Sequence, residues 1–198
     1  MDMRKTNTLK VESVKKIYLA LLCFSLLSAS HPPPSFGLPA EDVQLVTNTE
    51  YVPAARKLIK EAKHSIRVMM FEMAFYERRS NSPSNLLIKE LIEAKKRGVS
   101  VEVILEVSES NDRTTERNRR SGKILSQGGV DVIYDTVSRT THAKLLLVDG
   151  EFILLGSTNW TYSALSNNNE TSVLIRSKAL AKELIDYVNK VKSTGSKR

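Results

Sequence analysis

Residues 141–159 read T-H-A-K-L-L-L-V-D-G-E-F-I-L-L-G-S-T-N, and this stretch limits the fold more than any other in the chain. Two apolar runs, Thr141 to Val148 and Phe152 to Leu155, are separated by Asp149-Gly150, a pair that favours the tight turn of a β-hairpin. Side chains alternate along a strand, so His142, Lys144 and Leu146 share one face while Ala143, Leu145 and Leu147 share the other. The returning strand ends at Gly156-Ser157, where glycine lets the backbone bend tightly beside a bound group. Ser157 and Asn159 therefore approach the region that His142 and Lys144 face. An imidazole, an ammonium, a hydroxyl and an amide meet within eighteen residues, a set suited to a ligand with several anionic oxygens.

Around the hairpin the pattern alternates strand and helix. Val43–Val46 reads as a strand, and Thr49 as the cap of a helix reaching Lys63 with Pro53 in its first turn. Ser65–Phe71 is a buried-strand run. Pro83 and Ser84 open a helix to Arg97 whose Leu87, Ile88, Leu91, Ile92 and Ala94 form one apolar stripe, and Gly98 stops it. Val99–Val107 is the next strand, followed by a polar, charged segment from Ser108 to Arg120. Ile124 and Leu125 belong to a helix stopped by Gly128-Gly129, and Val130–Tyr134 is again a strand. After the hairpin come a short helix near Tyr162–Leu165, a strand at Thr171–Ile175 and an amphipathic helix from Ser177 to about Lys192. Strands joined by crossover helices predict an α/β fold: a mixed, largely parallel β-sheet flanked by helices on both faces.

The front of the chain is of another kind. Arg4, Lys5, Lys10, Lys15 and Lys16 precede Ile17–Leu27, eleven residues that are apolar except for Ser25, and small residues Ser28-Ala29-Ser30 follow. That order predicts a secretory signal peptide over 1–30, or an N-terminal membrane anchor, and an exported protein, periplasmic or secreted. A Pro-rich linker at 31–40, a domain at 41–194 and a flexible tail at 195–198 complete the expected organisation. Without the leader, 25 basic residues stand against 20 acidic ones, a mildly basic net charge of +5. The one cysteine, Cys23, lies in the leader, which removes disulfides and thiol catalysis from the mature domain. Asn159-Trp-Thr161 and Asn169-Glu-Thr171 match the N-glycosylation sequon, and a glycan on Asn159 would block the pocket. His31 and His64 have no ligating partner at useful spacing and read as incidental.

Written as a motif, the hairpin is H-x-K-x4-D-x6-G-S-x-N with every position filled, occurring once and without an internal repeat. In this it resembles the phospholipase D superfamily, in its short, single-motif nuclease branch. The resemblance implies a phosphodiesterase with a phospholipase D-like fold and a catalytic set of His142, Lys144, Asp149, Ser157, Asn159 and Glu170. It implies that His142 attacks phosphorus, and that Lys144, Asn159 and Ser157 hold the phosphate oxygens. Asp149 fixes the hairpin without touching substrate, and Glu170 matches a carboxylate that relatives use to orient the histidine. One histidine cannot be both nucleophile and acid, so a single-motif chain is expected to form a homodimer whose two motifs share one cleft. The ordinary histidine pKa of about 6.5 suits both tasks. No cofactor or metal is expected, since no carboxylate cluster accompanies the motif. The expected substrate is a nucleic acid, DNA before RNA. Asn111–Arg120, Lys123 and Arg139 are candidates to grip its backbone, and Tyr134, Trp160 and Tyr162 to stack on its bases. Two readings stay beside it: hydrolysis of phospholipid headgroups, which calls for an apolar lip around the cleft, and a non-catalytic nucleic-acid-binding module, which the presence of both His142 and Lys144 disfavours.

Overall fold

The computed structural model describes residues 37–110 and 112–197. The expected leader and most of the Pro-rich linker, with Cys23 and His31, lie outside the described residues. Among the described residues no helix is long and apolar enough to cross a membrane.

The elements run β1 (Asp42–Thr47), a 3-10 turn (Asn48–Glu50), α1 (Tyr51–Glu61), β2 (Ser65–Met70), α2 (Pro83–Lys96), β3 (Ser100–Leu105), α3 (Arg113–Gln127) and β4 (Asp131–Tyr134). They continue with β5 (Lys144–Val148), β6 (Phe152–Gly156), α4 (Tyr162–Ser166), β7 (Thr171–Arg176) and α5 (Lys178–Thr194). All seven strands form one sheet in the order β1-β7-β6-β5-β2-β3-β4.

The sheet is mixed and carries helices on both faces, as expected, but it is less parallel than the sequence suggested. Among the seven strands only β2–β3 and β3–β4 pair in parallel, because only there does a helix carry the chain back to a neighbouring strand; α1 links β1 to β2, which do not pair. The β5–β6 hairpin, the link from β6 to β7 and the pairing of β1 with β7 give antiparallel ladders, as does β2 against β5. The helices are also unevenly shared. Apolar side chains of α1, α2, α3 and α4 pack with Met70, Leu146, Val148 and Leu154 on one face. On the other, α5 packs Ala181, Leu184, Ile185 and Val188 against Met69, Leu145, Leu147 and Ile153. One helix does not reach across seven strands, and Val43 and Leu45 of the edge strand β1 stay 60% and 67% exposed.

Local signals account for most boundaries. Ser82 caps α2, accepting from Asn85 N at 3.2 Å, with Pro83 at the first helical position. The stripe behind it is fully buried at Leu87, Ile88 and Leu91, each contributing about 2 kcal/mol of hydrophobic stabilisation. Ser177 caps α5 through Leu180 N at 3.1 Å. Two boundaries differ from the sequence reading. The turn before α1 is capped by Thr47, whose N–H and hydroxyl both donate to Glu50 at 2.9 Å, so Thr49 lies inside it. The charged segment 108–120 is helical from Arg113, capped by Asp112. The expected free tail is also partly tied, since Ser196 exchanges two backbone hydrogen bonds with Tyr134 and closes the outer edge of β4.

Candidate active site

The register places the hairpin's polar residues at one end of the sheet. Lys144 opens β5 opposite Met70, the last residue of β2, while Gly156 closes β6 opposite Ser172. Thr47, which ends β1, stands opposite Thr171. Gly156 is required by crowding: a Cβ there would stand 2.3 Å from both Ser172 Oγ and the Thr171 carbonyl oxygen. The regular strand starts at Lys144 and not at Thr141, yet the alternation carries through, with Ala143 packed towards the α5 face and Phe71 N donating to its carbonyl at 2.9 Å.

His142 is exposed and Lys144 is buried. The Lys144 Nζ lies 3.2 Å from Nδ1 and 3.4 Å from Nε2 of His142, and donates to the His142 carbonyl at 2.7 Å. The Phe71 ring backs both groups, its centroid 4.4 Å from that of the imidazole and 4.7 Å from the ammonium. Burial pushes the Lys144 pKa down, against the pull of the Glu170 and Glu72 carboxylates. Asn159 presents a buried Oδ1 that has no partner among the described residues. A desolvated cation beside an exposed imidazole forms a site with interactions still to be made.

Ser157 and Glu170 meet, but not as the resemblance implied. The Ser157 hydroxyl donates to Glu170 Oε2 and accepts from Thr171 N at 3.1 Å, while Glu170 Oε1 accepts from Asn168 at 3.1 Å. The Glu170 carboxylate therefore bonds Ser157 and Asn168, with no hydrogen bond to the imidazole among the described residues; it reaches the pair through its field at Lys144. Asp149 is not brought to this place at all. It stands beyond the other end of β5, five residues or about 17 Å from Lys144. Its φ of 53° and that of Gly150, 64°, make the turn. Its carboxylate accepts from the backbone N–H of Lys63, His64 and Ser65 at 2.9, 2.8 and 2.8 Å. Partial burial works against the charge, but those N–H groups hold the Asp149 pKa below the ordinary carboxylate value.

Several residues that support the site escaped sequence reading. Glu106 and Asp135, both buried, hold Thr141 by its N–H and its hydroxyl, and so fix the peptide entering His142. Burial raises the Glu106 pKa, opposed by the Thr141 N–H and assisted by Asp135 and Asp112. Asn118 of α3 accepts from Met73 N at 2.7 Å and donates to the carbonyls of Phe71 and Glu106 at 2.7 and 2.8 Å. Ser121, one turn on, bonds Phe75 N and the Met73 carbonyl. Together with Asn85 of α2 they suspend the segment after β2 that carries Phe71 and Glu72. Glu72 is paired with Arg117. Trp160 is fully buried, its Nε1 donating to the Tyr51 hydroxyl at 3.0 Å, and its backbone pairs with Glu72 and Ala74. That peg fixes Asn159. The candidate stacking rings are thus mostly unavailable: Trp160 and Tyr134 are core residues, and Tyr162 lies under the Arg79 guanidinium at 4.7 Å.

Comparison with known proteins gives a consistent picture. The family described as "Cardiolipin synthase, PLD-like domain" matches residues 55–192. A protein named phospholipase D from Rickettsia prowazekii is 29% identical over 127 residues, 64% of this chain and 55% of its own length. A mitochondrial cardiolipin hydrolase from Xenopus tropicalis is 35% identical over 86 residues, 43% of this chain and 39% of that protein. The chain spans about half the length of the first of these curated relatives. Among solved structures, the phospholipase D family member Nuc from Salmonella typhimurium superimposes with a TM-score of 0.66 at 25% identity, covering 78% of this chain and 96% of that one. NucT from Helicobacter pylori gives 0.62 at 15% identity, a likeness of fold, over 79% of this chain and 99% of its own.

Proposed function

The chain belongs to the family of phospholipase D-like domains, matched from residue 55 to residue 192, and from that membership we propose that it is a metal-independent phosphodiesterase whose preferred substrate is DNA. The observation that carries the reading is the pairing of an exposed His142 with the desolvated Lys144. A phosphodiester entering there supplies a negative charge for the Lys144 ammonium, and the Nδ2 of the Asn159 amide donates to a phosphate oxygen.

In this reading a ring nitrogen of His142 attacks phosphorus, an N–P bond forms, and the bond to the leaving oxygen breaks. The partner's His142, across a two-fold axis, gives that oxygen its proton. Water then attacks the phosphohistidine, losing a proton to the partner's His142, and the N–P bond breaks to restore the free imidazole. Glu106 and Asp135 take part only by fixing Thr141, and Phe71 by confining the ring and the ammonium. Closeness in size and fold to Nuc, 96% of which is covered, supports the nuclease reading. The names phospholipase D and cardiolipin hydrolase among the relatives favour a second reading, hydrolysis of phospholipid headgroups.

Plasmid nicking in excess EDTA, with His142→Asn as the paired control, tests the proposal. Nicking by the parent protein alone supports a metal-independent nuclease working through His142. A folded dimer that leaves plasmid intact but hydrolyses phospholipid vesicles moves the assignment to the second reading.

A further inference from the structure

A second cleft opens beside the site, on the α5 face of the sheet. It encloses about 440 Å³ between the β4–β5 loop, which brings Thr136, Ser138, Arg139 and Thr141, and the last turns of α5, which bring Tyr187 and Lys190. Thr141 lines this cleft and His142 follows it directly, their Cα atoms about 3.8 Å apart. The imidazole leaves this backbone on the face opposite α5, so a polymer whose reacting phosphate lies at His142 reaches the cleft by passing round the start of β5.

The lining has the chemistry of a nucleotide chain's partner. The one carboxylate in it, Asp135, is already engaged by the Thr136 N–H and the Thr141 hydroxyl. Arg139 and Lys190 are exposed, and neither forms an ion pair among the described residues. Lys192, two positions further along α5, is by contrast held by Glu102 and Asp131. Tyr187, which lines the same cleft, is left 54% exposed. An aromatic face beside backbone-neutralising cations accepts any unpaired base, whereas a duplex keeps its bases stacked on one another. A second basic groove, around Arg119 and Lys123 on α3, differs in this respect: its ring, Tyr134, is only 6% exposed.

We propose that the cleft is a nucleotide subsite for a single-stranded segment adjoining the scissile phosphate, with Arg139 and Lys190 on backbone phosphates and Tyr187 under a base. The subsite rests on the nuclease reading above and adds to it where the strand runs and that it is unpaired.

The test uses the full chain and two substrates, a single-stranded oligonucleotide and bis(p-nitrophenyl) phosphate, a diester with no flanking nucleotide. Tyr187→Ala is expected to raise KM for the oligonucleotide about tenfold, from the 1–3 kcal/mol typical of a stacked base, and Tyr187→Phe to restore it. Arg139→Ala with Lys190→Ala is expected to weaken the salt dependence by roughly 1.4 in the logarithmic slope, about 0.7 per cation lost. Turnover of the small diester stays unchanged in all of them. Lys182→Ala, which removes an exposed cation nearer the start of α5, leaves both substrates unaffected. The subsite is overturned if the oligonucleotide is cleaved with the parent KM by the Tyr187 and Arg139/Lys190 variants, or if Lys182→Ala weakens it equally. Hydrolysis of the small diester without any cleavage of the oligonucleotide by the parent protein overturns the nuclease reading itself.

Discussion

The two ends of β5 solve opposite problems within one motif. At the Lys144 end, polar groups are positioned and left wanting: an ammonium without a carboxylate bonded to it and an imidazole open to solvent. At the Asp149 end every possibility is used, with three consecutive N–H groups on one carboxylate. Groups kept short of partners store the capacity to bind, at the expense of stability, whereas groups given all their partners store stability. Mutation should therefore separate activity from stability along a single strand.

The largest effect is expected from His142→Asn, which should reduce diester cleavage on the order of 10⁴-fold with the thermal midpoint unchanged. A fall in midpoint that accounts for the lost activity would place His142 among the structural residues. Next, Lys144→Met is expected to lower turnover by about 10²–10³-fold while leaving the midpoint unchanged or higher, because it removes a desolvated charge. A clear destabilisation in urea melts would erase the contrast. Asp149→Ala runs the other way: about 3 kcal/mol of stability is lost as three N–H groups lose their acceptor, and activity falls only with the folded fraction. Direct loss of turnover in the folded protein would return Asp149 to the reacting centre.

The pH dependence sharpens the same comparison. The Asp149 pKa is depressed in the fold, so its contribution is present above the unfolded value of about 3.9 and disappears as pH falls through the lower, folded one. Urea midpoints of the parent should therefore drop more steeply below about pH 4 than those of Asp149→Asn; superimposable curves would show that another carboxylate governs the acid limb. The smallest effect belongs to Ser157→Ala, a roughly threefold rise in KM, since Ser157 already gives its proton to Glu170. A change in turnover on the scale of Lys144→Met would give the hydroxyl a larger part.

What the sequence disclosed followed from local rules. The hairpin, the apolar stripe of α2, the start of α5 at Ser177 and the neighbourhood of His142 and Lys144 are written in spacing and residue type. Non-local pairing was not. That β1 lies against β7, across more than a hundred residues, is set by which apolar edges remain after the other strands have paired, and this lowered the parallel share of the sheet. Asn118 looked like part of a solvated, charged segment, and Ser121 beside it carried no signal, because the backbone groups of Phe71, Met73 and Phe75 that they hold lie more than forty residues away. Glu170 has a correct position in sequence for the imidazole, but the turn after β6 puts the Ser157 hydroxyl within its reach first.

Trp160 is the only tryptophan of the chain, next to Asn159 and hydrogen-bonded to Tyr51, whose burial pushes its pKa up to about 12. Tryptophan emission therefore arises from one place, the peg next to Asn159. A ligand that draws on the Asn159 amide should alter that signal without dye or label, and unfolding should shift it to the red, so a titration and a melt can be recorded on the same native chromophore.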